Sequence, residues 1–210
     1  MQKAVENRWA REAPISAGLV RSLRELNHRF LDLAATPGGA MHGRSGDGPP
    51  ADLAAAVAAL SAAQKAAAAN CPYALFDLQF HDDRYWQQRL QSGQAWRIAD
   101  AALAGAPAAD FAQLALFYAW HVASTAPLTA QLLLGMHERT ALALGVVTVD
   151  RLPGLAATEA AHLTARWRYC DAYWRALVGA AAGVDSAGLR RVQLYGLQLA
   201  AATQLPGRSI

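Results

Sequence analysis

The chain has 210 residues, with 19 Lys and Arg against 16 Asp and Glu, a formal charge of +3 and a pI near 9.1, which suits one mildly basic domain with a substantial core. Two cysteines, Cys71 and Cys170, exclude a disulfide framework or a zinc knuckle, and the N-terminal MQKAVENRWAREAP lacks the apolar core of a secretory signal, so a reduced, cytoplasmic setting is expected. Fifty alanines and few β-branched clusters predict an all-α protein, a single-domain helical bundle of about seven to nine helices, several of them short.

Residues 1–14 read as an N-terminal arm. Leu19, Leu23, Leu26, Phe30 and Leu33 recur at helical steps and predict a first helix from about Ile15 to Ala35 within segment 15–36, with Ser16 or Ser22 as its cap. Pro37 to Pro50, PGGAMHGRSGDGPP, reads as a flexible loop (37–50), and residues 51–205 as a helical core continuous with the first helix, one domain overall. The alanine-rich stretch 51–69 predicts a thinly anchored helix on Leu53, Val57 and Leu60, ended by Asn70, Cys71 and Pro72. Residues 74–81 alternate as a strand would, although a helix or an extended segment also fits and a lone strand needs a partner. Asp82 or Asp83 should cap a helix over Arg84 to Gln91, followed by a short one from Trp96 to Ala104.

From Phe111 to His137 the chain carries no Asp, Glu, Lys or Arg. Its densest part, Leu114 to Ala123, is about half the roughly 20 residues of a membrane span, so we read two core helices at the centre of the fold, capped by Asp110 and hinged near Pro127, with no membrane partner. Gly135, Gly145, Pro153 and Gly154 divide residues 128–157 into three short helical pieces. A helix from about Glu159 to Ala182, with a break near Asp171 left open, and a last one from Ala187 to Thr203, capped by Ser186, complete the chain.

The strongest candidate for function lies between Ala130 and Ala157. Gly135 could be the turn of a helix-turn-helix locked by Ala130, Leu134, Met136, Ala141 and Leu144, which would present His137, Glu138, Arg139 and Thr140 to DNA. A buried helical hairpin is the plainer reading. The stretch from His121 through Ala156, with its LLLGM, ERTALAL and VDRLPGLA pieces, resembles the central segment of the flagellar transcriptional activator FlhD family, over about 35 of 210 residues. That resemblance implies a helical, oligomeric regulator acting through a partner, and transfers no catalytic residue.

In RWRYCDAYWR, the bases Arg166, Arg168 and Arg175 interleave with aromatics as on a nucleic-acid surface, although helical spacing would place Trp167, Cys170, Trp174 and Leu177 in the core. Residues 139–210 carry eight bases and four acids, whereas 46–138 carry four and eight. Glu159 and His162 form a Glu-x-x-His pair of the di-iron type, but the chain lacks a second such pair, so no metal and no cofactor are expected. Neither cysteine has a histidine that sequence pairs with it, and no nucleophile elbow, P-loop or dinucleotide fingerprint occurs, which leaves no catalytic assignment.

The leading reading is therefore a non-enzymatic helical regulatory or adaptor protein, a transcriptional regulator among the options, that contacts a protein partner or its own copy and DNA as a further partner. The competing class is a small-ligand-binding or enzymatic bundle with a pocket near Tyr118, Trp120 and His121, the last otherwise a hydrogen-bonded core histidine. A structural subunit of a larger assembly is the third.

Overall fold

The computed structural model describes residues 16–36, 51–91 and 106–203, so the arm 1–14, the loop 37–50 and the helix expected at Trp96–Ala104 lie outside the described residues. Among the described residues ten α-helices and one two-stranded ladder form an all-α fold, as composition predicts. The helices are α1 (Ala17–Ala34), α2 (Ala51–Ala58), α3 (Ala62–Ala69), α4 (Asp83–Gln91), α5 (Ala106–Thr125), α6 (Pro127–Leu134), α7 (Glu138–Gly145), α8 (Leu152–Glu159), α9 (Asp171–Ala182) and α10 (Ser186–Thr203). No single described helix is long and apolar enough to cross a membrane. The pair Glu138–Gly145 and Val149–His162 reaches that length and composition only jointly, across a bend of 107°.

Local chemistry sets the helix ends. Ser16 caps α1, its Oγ accepting from Leu19 N at 3.2 Å, and the face with Leu23, Leu26, Phe30 and Ala34 turns inward. The single helix expected over 51–69 is two, because Ser61 and Gln64 form a reciprocal capping box that starts α3. Asp82, through Oδ1 to Tyr85 N at 2.9 Å, caps α4. The central helix begins at Ala106, so Asp110 lies inside it and does not cap it. The hinge falls where proline predicts: Ala126 leaves helical angles and Pro127 opens α6. Asp185 caps α10 through Gly188 N, in place of Ser186.

α5 packs against α1, α6, α7 and α8, while α9 packs against α2, α3 and α10, and the buried side chains of both groups join in one hydrophobic cluster. Between them runs the most completely buried stretch, which is not helical. Cys71, Tyr73, Ala74, Leu75, Phe76, Leu78 and Phe80 have no exposed surface at all. Phe76–Asp77 (β1) pairs antiparallel with Thr164–Ala165 (β2), Phe76 opposite Ala165 and Asp77 opposite Thr164. The expected helix over Glu159–Ala182 is interrupted for this reason: the chain leaves α8 through a 3₁₀ turn at Ala160–His162, supplies β2, and turns through Trp167 at φ +52° before α9. The aromatic stretch before Asp171 is a turn, and Trp167 and Cys170 do not share a helix face with Trp174.

A buried extended segment needs partners for every backbone polar group. Asn27, fully buried on α1, supplies two, its Nδ2 donating to Tyr73 O at 2.9 Å and its Oδ1 accepting from Leu75 N at 2.8 Å, and Nδ2 also donates to Ala69 O at the end of α3 at 3.3 Å. Ala74 N donates to Leu133 O at 2.8 Å, and Leu75 O accepts from Arg166 N at 2.9 Å. Replacing Asn27 by Ala strands buried groups in the core, so Asn27→Ala should lose about 2–4 kcal/mol of stability in a urea melt. A loss near zero would mean that water or the backbone takes over these bonds.

Candidate functional site

The residues singled out in the sequence do not gather on one surface. His137 and Arg139 are exposed at the start of α7, but Thr140 is buried, its Oγ1 donating to Asp83 Oδ1 at 2.9 Å as α7 packs on α4. Gly135 is the expected turn, left-handed at φ +74°, and Ala130, Leu134, Met136, Ala141 and Leu144 are all buried. The hairpin is thus locked, and the fourth residue of the supposed reading face points inward.

Arg166 is also inside. Its Nη1 donates to Leu133 O at 2.8 Å, its guanidinium lies 4.6 Å from the centre of the Trp167 ring, and Nη2 occupies the space a Cβ on Gly135 would need, 2.7 Å away. Burial pulls its pKa down to about 10, which leaves it a cation at neutral pH. Arg168 rests over Tyr169 at 4.7 Å, and Arg175 is held by Asp171 Oδ2 at 2.6 Å and Asp52 Oδ2 at 2.8 Å. Of the six expected contacts, Thr140 and Arg166 are therefore corrected to core residues. Arg166→Ala should cost about 2–4 kcal/mol on thermal unfolding, whereas Arg139→Ala should leave stability within ~0.5 kcal/mol.

The pocket expected at Tyr118, Trp120 and His121 is not assembled by these side chains. The Tyr118 hydroxyl donates to Leu19 O at 3.1 Å on α1, with burial pushing its pKa up, and Trp120 Nε1 donates to Val147 O at 2.8 Å. His121 is exposed on the solvent side of α5, not a core histidine, because it sits opposite the buried face of Ala112, Ala115, Ala119 and Val122.

Two polar groupings went unrecognised in the sequence. Asp77, nearly buried on β1, accepts Phe80 N on Oδ1 and holds His81 Nδ1 at 2.6 Å on Oδ2, leaving the other ring nitrogen to solvent. This is a base with its orienting carboxylate, able to take up and release a proton at Nε2. The other is Glu159, fully buried at the end of α8. Its Oε2 accepts the Tyr85 hydroxyl at 2.7 Å, and Arg89 Nε stands 3.2 Å from Oε1 but donates to Tyr85 Oη at 3.1 Å. Burial pushes the Glu159 carboxyl up to about 7 against the pull of Tyr85 and Arg89. Among the described residues no group of three His, Cys, Asp or Glu is placed to hold a metal ion, so the Glu159/His162 spacing forms no ligand set.

The outward side of α9 differs from an ordinary surface helix. Ala172, Arg175, Ala176, Gly179, Ala182 and Gly183 face solvent, and the one long side chain among them, Arg175, is drawn aside to two carboxylates. A Cβ added at Gly179 would meet nothing within 4 Å. Shallow apolar grooves flank this strip, one of about 460 Å³ against α2 and α3, with Leu53, Ala56 and Leu60, and one of about 530 Å³ against α10, with Val192 and Tyr195. On α10, Leu194, Tyr195 and Leu197 continue the exposed apolar surface. No family model, curated protein or solved structure matches the chain.

The Asp77 hydrogen bond is the main cause that raises the His81 pKa above 6.5. A group raised on folding stabilises fully below its unfolded value and loses that contribution as pH rises through the folded value. The His81 ring titration followed by NMR should therefore have its midpoint above 6.5, and Asp77→Asn should bring it back. A wild-type midpoint at or below 6.5 would break the assignment of the pair.

Proposed function

We propose that the protein is a non-enzymatic, cytoplasmic helical adaptor or regulator that seats a helix of a partner protein along α9. The observation that carries this reading is the smooth strip of small residues from Ala172 to Gly183 with a groove on each side. A solvent-facing helix normally carries long charged side chains on that face. Small residues here let another backbone approach closely, and the grooves take side chains from either flank of an incoming helix. Pairing with Asp52 and Asp171 draws the Arg175 guanidinium aside, so the strip meets an incoming helix without an unpaired cation.

The resemblance of residues 121–156 to the FlhD family supports the same class, a regulator working through a partner, and transcription is the process we attach to it. DNA contact would rest on His137, Arg139 and Arg168. A titration of duplex DNA over a range of salt tests that part, since phosphate contacts give a steep salt slope, and no binding at low salt would remove it.

Gly179→Trp fills the strip at a position with open space around it, so folding should be unaffected while partner binding falls at least about tenfold. Proteins retained by immobilised wild type, identified by mass spectrometry and then titrated in purified form, provide the binding measurement. Light scattering reads the case in which the partner is a second copy. Leu132→Asp, an exposed position on α6, serves as the control that keeps binding. Equal binding by Gly179→Trp and wild type would sink the assignment of α9.

A further inference from the structure

The two ends of the α9 strip carry opposite charge. At its start two carboxylates, Asp52 and Asp171, share the single guanidinium of Arg175, which leaves one negative charge. Beyond its end two exposed arginines on α10, Arg190 and Arg191, stand beside one carboxylate, Asp185, with Arg191 Nη2 3.7 Å from Asp185 Oδ2, which leaves one positive charge. Lys65, which follows the Gln64 that reaches Ala182 O, is paired with Asp32 at 2.9 Å and does not change that balance. Arg168, just before the helix, rests on Tyr169 and lies close enough to His81 for its charge to act there.

Bulk is divided in the same way. α10 runs back along α9, since Tyr195 Oη lies 3.6 Å from Cys170 Sγ at the start of α9 while the Asp185 carboxylate caps α10 at the far end. The exposed side chains of Leu194, Tyr195 and Leu197 therefore stand at the acidic end. The strip is barest at the basic end, where Gly179, Ala182 and Gly183 face solvent and the exposed Val184 borders them. One surface thus holds an apolar ridge and a bed of small residues to receive it, a negative end and a positive one. A two-fold axis across the middle of α9 sets each against its complement twice, as a closed dimer requires, whereas a parallel arrangement opposes like ends.

Resting on α9 as the docking face, we infer that the helix seated there belongs to a second copy of this chain. Two α9–α10 hairpins pack antiparallel, the ridge from Leu194 to Leu197 of each over the Gly179 end of the other. Arg190 and Arg191 of each copy then face Asp52 and Asp171 of its partner. Burial of the ridge supplies the attraction, and the end charges fix the direction of pairing.

Sedimentation velocity of the full chain over a range of concentration and salt is the experiment. Wild type should sediment as a dimer at low salt and weaken as salt screens the end charges. The double variant Arg190→Glu/Arg191→Glu makes both ends of a copy negative, and Asp52→Lys makes both positive. Each alone should dissociate, its dimer Kd rising roughly tenfold or more, and Gly179→Trp should do the same through bulk. An equal mixture of the two charge variants should pair again, because every end then meets its opposite, and that recovery also shows that both are folded. A chain that stays monomeric at low salt up to on the order of 100 µM overturns the inference. If Gly179→Trp still abolishes retention of another protein in that case, α9 stands as a docking face with a different occupant. Dimers insensitive to all three variants, or charge variants of wild-type circular dichroism that do not recover on mixing, overturn it as well.

Discussion

The fold depends on one constraint: an extended, non-helical segment, Cys71 to Phe80, runs through the interior of a helical protein, and its backbone must find hydrogen bonds there. Helices satisfy their own amides, but an interior strand of two residues cannot. Asn27 meets part of that need from α1, Leu133 from the end of α6, and Arg166 and β2 from the chain before α9. Each partner comes from a different region of the sequence. The segment thereby ties the α5 group to the α9 group, and loss of its partners would be felt throughout the cluster.

Arg166 extends the same logic to a buried charge. Leu133 O takes both Ala74 N and Arg166 Nη1, so one carbonyl at the end of α6 serves the extended segment and the guanidinium together. The backbone carbonyl of Arg166 accepts Trp174 Nε1 at 2.9 Å, which anchors the start of α9. Gly135 is required twice over, by its left-handed φ and by the Arg166 guanidinium, which fills the space a Cβ would need. A buried arginine is costly unless its donors are used, and here most of its worth is positional: it joins the hairpin turn, the ladder and α9 at one point.

With α9 fixed from inside, its outer face carries no part of the hydrophobic core, and Arg175, bonded to Asp52, and the Ala182 carbonyl, which accepts Gln64 Nε2, tie it to α2 and α3. Tyr173, Trp174, Leu177 and Val178 carry the packing, leaving Ala172, Ala176 and Gly179 outward. A helix could keep lysines and glutamates there at no cost to the core, so their replacement by small residues beside two grooves is what turns attention to binding. The polar pairs Asp77–His81 and Tyr85–Glu159 lie elsewhere, around the ladder and α4, and place the proton-sensitive chemistry apart from that face.

The sequence alone determined the helical class, the break at Pro127 and the turn at Gly135, and narrowed the first cap to Ser16 or Ser22, because these follow from alanine content, apolar spacing and the backbone limits of proline and glycine, all of which act within a few residues. Asn27 was visible in the stripe Leu23–Asn27–Phe30 as a polar residue on an apolar face, and the Ser61-x-x-Gln64 pattern was there to mark a second helix start. What only the tertiary structure decided was where burial falls. Arg166 and Thr140 read as surface residues and are core, His121 reads as core and is exposed, and residues 164–165 read as helix and form a strand. These outcomes turn on which distant segment supplies a partner. Hydrogen bonds between Asn27 and Leu75 or Arg166 and Leu133 span 48 and 33 residues, and no local pattern encodes a contact made across that distance.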